Sequence, residues 1–515
     1  PDALTILINF SIIRDATMLT SKKYKFWFAT GSQNLYGNAC LAVVADHSRQ
    51  IVEALNASGK LPFKVVLKPT LVDAASIRKC FNDANADASC AGVITWMHTF
   101  SPAKMWILGL QEFRKPLLHL HTQFNREIPF ASIDMDFMNT NQSAHGDREF
   151  GHIVTRMGIE RKIIVGHWSD ETVQKRMGDW MRTAVGIMES SHVRVVRFGD
   201  NMRDVAVTEG DKVEAEIKFG WEIDAYNITD VAAYVDAVSK SEIKALTDLY
   251  YDSYGLVLDG RSRAEFRKHV EVQAGIEIGF RKFLEEHNYQ AVVTNFQMLS
   301  GLKQLPGLAM QRLMADGYGF GAEGDWKTAA LVRLMKIMAA GTPNAKGTSF
   351  MEDYTYHLAA GQEAILQAHM LEICPSIAEA KPVIRVNPLS MGQREDPARL
   401  VFTCKPGKGV ACSLVDLGTR FRLIINTVEC LPQDQAMPKL PVASALWKPE
   451  PDLVTGAEAW ILAGGAHHTA FSLDLTADQI GDWGAALGIE CVFIDRDTTI
   501  RSFKNELRWN AASFR

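Results

Sequence analysis

This chain of 515 residues has no C-x-x-C pair, no apolar run long enough to cross a bilayer, no excess of basic charge and no internal repeat. Each absence removes a class. The eight cysteines, at positions 40, 80, 90, 374, 404, 412, 430 and 491, stand singly, most in apolar surroundings such as LEICPSI and IECVFID. They read as small buried hydrophobes in a reducing compartment, the cytoplasm, and not as a disulfide framework or a thiolate zinc site. A membrane helix needs about 18 consecutive apolar residues. The nearest stretch, ALTILINFSII at 3–13, is too short, follows an acid in place of basic residues, and lacks a small-residue cleavage site. The net charge of −5 supplies no broad basic face for nucleic acid or an anionic membrane. Nucleotide fingerprints are missing too: TGSQNLYG and GYGFGAEGD lack the G-x-G-x-x-G spacing, and PGKGV is not a P-loop.

What remains is an ordinary globular composition spread over more length than one core fills, so several domains are expected. Residues 1–17 are expected to be a poorly ordered extension ahead of the fold. From 18 to 193, KFWFAT, KVVLKP, CAGVITWM and PLLHLHT are short β-rich runs separated by helical patterns. This is the signature of βαβ units and an open, Rossmann-like parallel sheet. A second such α/β domain is expected over 194–344, opening with VRVVRFG and ending at the turn-rich AAGTPNAKGTS. From 345 to 515 strands follow one another with only turns between, as in RLVFTCKPG, GVACSLVDLG and RFRLIINTVECL. That pattern predicts a mostly antiparallel, barrel-like β domain.

Three stretches could carry chemistry. In GAEGDWKTAALVRLMKIM, Glu323 sits on a glycine-flanked loop ahead of a helix, with Asp325 and Thr328 in its opening. Acids there either cap the helix or stand ready as a ligand or base. In GTSFMEDYTYHL, Glu352, Asp353 and His357 lie among aromatics, where partial desolvation raises a carboxyl toward the range of a general acid–base. A surface acid pair is the plainer alternative. His369, in QAHMLEICPSI, is either a hydrogen-bonded core residue or a ligand. In AWILAGGAHHTAFS, a strand is expected over 459–463, ending in glycines that present His467 and His468. Adjacent histidines on an extended chain point opposite ways, so at most one is expected to face a given metal. Two glutamates and two histidines would suit Mn²⁺, Co²⁺ or Mg²⁺ better than a thiolate-loving ion.

Read together, FATGSQNLYG, ITWMHTFSPAKMW, HTQFN, IDMDFMNTNQSAHGDREFG, RFGDNMRDVAVTEGDKV, GLKQLPGLAMQRL, EGDWKTAAL, GTSFMEDYTYH, MPKLPVASALW and ILAGGAHHT closely resemble the L-arabinose isomerases, over nearly the whole chain. The resemblance implies interconversion of L-arabinose and L-ribulose, with D-galactose and D-tagatose as a side activity, through an enediol. It implies a divalent cation, usually Mn²⁺ with Co²⁺ or Mg²⁺ as substitutes, and a homohexamer, or alternatively a homotetramer. By motif match the metal-site residues are Glu323, Glu352, His369 and His468, with the two glutamates as acid and base. Gln33, Leu35, Tyr36, Gln142 and His145 are the implied substrate contacts, His145 coming from a neighbouring subunit. A fucose-type or other aldose isomerase, and a non-catalytic sugar-binding protein, are the competing readings.

Overall fold

The computed structural model describes residues 23–389 and 393–514; the expectation for residues 1–17 lies outside them. The chain forms two compact units, dividing between Met188 and Glu189.

The first unit is built on β1 (Lys25–Gly31), β2 (Lys64–Leu67), β3 (Cys90–Met97), β4 (Leu117–His121) and β5 (Lys162–Val165). Every pairing is parallel and the order is β2-β1-β3-β4-β5, the doubly wound arrangement that places a crevice where the order reverses. All eight residues of β3 are buried, as expected for a strand with helices on both faces. Trp27, Ala29, Val93 and Met97 from the strands pack with Phe81, Trp106 and Phe150 from the helical layer. The helix Gly37–Ala57 turns Val44, Ser48, Ile51, Val52 and Leu55 inward, one stripe at helical spacing. It begins at Gly37, where its first turns are small or exposed and the N-cap Tyr36 side chain does not cap the helix.

The second unit opens with another parallel sheet, ordered β10-β9-β6-β7, from β6 (Arg194–Phe198), β7 (Glu222–Tyr226), β9 (Ala291–Val293) and β10 (Gly319–Gly321). The short β8 (Gly255–Val257) instead pairs parallel with β13 (Val383–Val386), which pairs antiparallel with β14 (Ala398–Val401). The remaining strands are β11 (Thr348–His357), β12 (Ala364–Ala368), β15 (Gly407–Asp416), β16 (Phe421–Leu431), β17 (Ser444–Pro449) and β18 (His468–Ser472). They run in the order β15-β18-β11-β12-β17-β16, and β15 pairs with β16 to close the ring. Every pairing in the ring is antiparallel, so the barrel has no free edge, while β19 (Glu490–Ile494) lies parallel on β16.

The helix Trp326–Ala339 packs between the parallel sheet and the barrel and is buried along all 14 residues. Its sequence reads as amphipathic because Lys327, Arg333 and Lys336 interrupt it. These cations are absorbed by backbone carbonyls: Lys327 Nζ donates to Thr208 and Glu209, Arg333 to Gly317, and Lys336 to Thr348. Sheet and barrel therefore share one core element within one compact unit.

One expected element is corrected. Residues 459–463 are not a strand but the end of the helix Leu453–Ala463. Asp452 caps its start by accepting from Thr455 N, and Gly464, at φ +82°, ends it in the left-handed conformation. A continuous apolar run carries no period by which to tell the two apart. The terminal helix Ile500–Ser513, which follows β19, was likewise not indicated by the sequence reading.

Candidate metal centre and its relatives

Strand register builds the site. Glu352 on β11 lies directly opposite His468 on β18 and opposite Ala368 on β12, and His369 is the residue just beyond Ala368. Directly opposed residues project on one face of a sheet. His369 Nε2 approaches Glu352 Oε2 at 3.7 Å, and the rings of His369 and His468 lie 6.5 Å apart. Phe350 stands edge-on to both imidazoles, and Phe296 stacks on His369, so the cluster has an apolar wall.

Glu323 enters from the loop between β10 and the helix Trp326–Ala339. Its φ of +57° is left-handed, a conformation that costs a non-glycine residue about 1 kcal/mol. The turn is held by Met202 N donating to Glu323 O and by Gly324 N donating to Thr294 O. Gly324, at φ +87°, has no room for a side chain: a Cβ would lie 2.4 Å from Asn201 Cα. This strained turn brings Glu323 Oε2 to 3.5 Å from His467 Nε2 and 3.8 Å from His468 Nε2.

Both adjacent histidines thus face one carboxylate, which corrects the expectation that they point apart. His467 precedes the strand, and its carbonyl accepts from Asp353 N, so strict alternation does not yet apply. Pairing with His467 holds the Glu323 carboxyl below its usual range, against burial, and Glu323 in turn raises His467.

Each buried imidazole is oriented by a carboxylate. His468 Nδ1 is 3.1 Å from Asp325 Oδ2, and Asp325 also caps its helix by accepting from Thr328 N. Burial pushes the Asp325 carboxyl up, but Lys327, the bond to His468 and Thr328 outweigh it and hold it down at about 2. His369 Nδ1 lies 2.5 Å from Glu372 Oε2. Burial alone would lower His369, yet Glu372, Glu352 and Glu323 together raise it. With its Nδ1 committed, His468 keeps a buried Nε2 that has no hydrogen-bond partner among the described residues. A buried nitrogen aimed at Glu323, backed by a carboxylate on the opposite nitrogen, is the arrangement of a metal-ligating histidine. Glu323, His467 and His468 offer donor atoms within 4.8 Å of one another. The residues present therefore fit a divalent cation with mixed oxygen and nitrogen ligands.

Sequence reasoning named Glu323, Glu352, His369 and His468; the structure sets His369 beside Glu352 and His468 beside Glu323, with Glu352 and His468 opposed in the β11–β18 register. It missed Glu372 as the orienting partner of His369 and read Asp325 only as part of a helix opening. The i,i+3 spacing of His369 and Glu372 was the available signal. Burial pushes the Asp353 carboxyl up, to about 6, although Gln367 hydrogen-bonds to it. His357 ends β11 on an exposed stretch.

In the first unit, Gln33 Nε2 donates to Phe100 O, the His145 ring stacks on Phe100, Gln142 Nε2 donates to the Tyr36 hydroxyl, and Gln142 Oε1 meets His145 Nδ1 at 2.9 Å. Four of the five expected substrate contacts thus form one connected group beyond the C-terminal ends of β1 and β3. Leu35 is 84% exposed.

A parallel α/β sheet joined to a closed antiparallel barrel, with an imidazole–carboxylate cluster fit for a divalent cation, defines a candidate metalloenzyme of mixed α/β architecture. Three family models match the chain: the L-arabinose isomerase N-terminal domain over residues 20–192, the central domain over 194–341 and the C-terminal domain over 347–490. The L-arabinose isomerase of Geobacillus stearothermophilus is 58% identical over 498 residues, covering 97% of this chain and 100% of that protein. Those of Halalkalibacterium halodurans and Clostridium beijerinckii are 57% and 56% identical, over 96% and 97% of this chain and 99% and 100% of theirs. The chain belongs to the L-arabinose isomerase family and is an isomerase. Among the described residues no helix is long and apolar enough to cross a membrane.

Proposed function

We propose that this protein interconverts L-arabinose and L-ribulose, and also D-galactose and D-tagatose, with a divalent cation held by Glu323, Glu352, His369 and His468. Mn²⁺ is the expected ion, with Co²⁺ or Mg²⁺ able to replace it. The observation that carries the reading is the unpartnered, buried Nε2 of His468, set beside Glu323 and opposite Glu352. Family membership supplies the sugar. The hexameric or tetrameric assembly and the cytoplasmic location stay with this reading as part of the same proposal.

Isomerisation transfers a proton between C2 and C1 of the open-chain sugar by way of an enediol. A cation bound at this centre supplies Lewis-acid polarisation of the carbonyl and a fixed point for the sugar oxygens. Glu323 and Glu352 approach the histidine cluster from different elements, a loop and a strand. They divide the work, one carboxylate removing the proton and the other carboxyl returning one. Asp325 and Glu372 keep His468 and His369 in one tautomer and orientation, and Phe350 and Phe296 limit water around them. Gln33, Leu35, Tyr36, Gln142 and His145 are proposed to hold the sugar.

The test is ketose formation from L-arabinose by EDTA-treated protein, with and without added Mn²⁺. Ribulose formed only with the metal supports substrate and cofactor together. No ketose under either condition from folded protein would overturn the substrate, and a panel of other aldoses would then follow.

A further inference from the structure

His119 and His121 sit two residues apart at the C-terminal end of β4, on one face of the strand. The Asp147 carboxylate lies between them: His119 Nε2 is 2.9 Å from Oδ1 and His121 Nδ1 is 3.0 Å from Oδ2. Met97 N, at the end of β3, donates to the same Oδ1 at 3.1 Å. Asp147 is 1% exposed and His119 4%, so a buried carboxylate is tied by three N–H groups to the ends of two neighbouring strands.

Three donor atoms this close could also surround a cation. The hydrogen-bond pattern argues otherwise. Among the described residues, the nitrogen of His119 without a hydrogen-bond partner is Nδ1, the one that does not face the carboxylate. A ligating histidine shows the reverse, with its far nitrogen bonded and its near one free, as His468 does. The cluster is an anchor.

What it anchors is the π-helical turn Ser143–Asp147, a rare form of backbone that occurs frequently at functional sites. The turn is seated closely on the strand ends. Ser143 Oγ donates to Thr122 O, Gln142 N donates to His98 O, and a Cβ on Gly146 would lie 2.8 Å from Thr99 O. Gln142 leads into the turn and His145 is part of it, the pair joined at 2.9 Å. A rigid path therefore runs from the sheet through Asp147 to both side chains.

We infer that Asp147, gripped by His119 and His121, is a positioning residue for the sugar: it locks the turn that presents Gln142 and His145. This rests on the reading of those two residues as substrate contacts. A substrate-holding pair displaced by a fraction of an ångström weakens binding without touching the Glu323–Glu352 centre.

The experiment is steady-state kinetics on the full chain with L-arabinose and Mn²⁺. Asp147→Ala is expected to raise KM about tenfold and to leave kcat within about twofold. His119→Gln, whose amide nitrogen can still donate to Asp147, is expected to keep the KM of the parent, whereas His119→Leu raises it. The double variant Gln142→Ala/His145→Ala should raise KM by itself, and adding Asp147→Ala to it should raise KM no further. If that double variant leaves KM unchanged, the substrate reading of Gln142 and His145 fails and takes this inference with it. If it raises KM while folded Asp147→Ala does not, the positioning role alone is overturned. Should Asp147→Ala fail to fold, the His119→Gln and His119→Leu pair decides by the same readout.

Discussion

Glu352 and His468 are direct neighbours in the register of β11 and β18, although 116 positions separate them in the chain. With Glu323 brought to His468 by a left-handed turn, this pairing makes a centre from a strand pair and a loop.

Replacing either glutamate by glutamine keeps its shape and removes its charge. Glu323→Gln and Glu352→Gln are each expected to lower kcat by at least about 10²–10⁴-fold. Circular dichroism and the thermal midpoint should stay near those of the parent. Substantial turnover in either variant would end the two-glutamate mechanism.

Asp325 separates metal orientation from helix capping. Asparagine still caps the helix, but it no longer offers His468 Nδ1 a charged acceptor. Asp325→Asn should therefore weaken Mn²⁺ binding about 10–100-fold, and because it also takes the carboxylate from the buried Lys327 it should lower the thermal midpoint. Calorimetric titration of metal-free protein measures this directly. Undiminished affinity would show that His468 does not depend on Asp325.

Gly324→Ala meets backbone on one side and an unfavourable φ of +87° on the other. It should cost about 1–3 kcal/mol or more of stability and move Glu323 away from the histidines. A lower thermal midpoint together with reduced activity is the expected result. Unchanged values of both would mean that the turn relaxes freely.

Glu242, whose partners are Ser239 and Lys282, offers a pH test independent of the candidate ligands. It closes a capping box with Ser239 and pairs with Lys282 at 2.7 Å, and these partners outweigh burial to hold its carboxyl down at about 2. A depressed carboxylate stabilises the fold above its unfolded value, near 4.5, and that contribution fades as pH falls toward 2. Glu242→Gln should thus be less stable than the parent by about 1 kcal/mol at neutral pH, since the ion pair is partly solvated. The gap should close between about pH 5 and 2 in parallel denaturant titrations. A gap independent of pH would point to the cap's shape and not its charge.

The sequence by itself determined the architecture. Alternating β-rich runs and helical patterns marked parallel sheets in the first two-thirds, and closely spaced strands marked an antiparallel barrel after them. It also supplied the candidate ligands, as what the resemblance carried by long ordered motif strings implies. Local signals failed where the period is ambiguous: an apolar run at 459–463 has no stripe to distinguish helix from strand, so the end of the helix Leu453–Ala463 was misread. Convergence belonged to the tertiary structure. Only strand register sets Glu352 against His468 and next to His369, and only the left-handed turn at Glu323 and Gly324 brings the fourth side chain into reach. The partners Asp325 and Glu372, the approach of both His467 and His468 to one carboxylate, and the burial of an entire lysine-bearing helix were equally invisible in one dimension. Each depends on which groups the fold shields from water, and a sequence shows a charge without showing the dielectric around it.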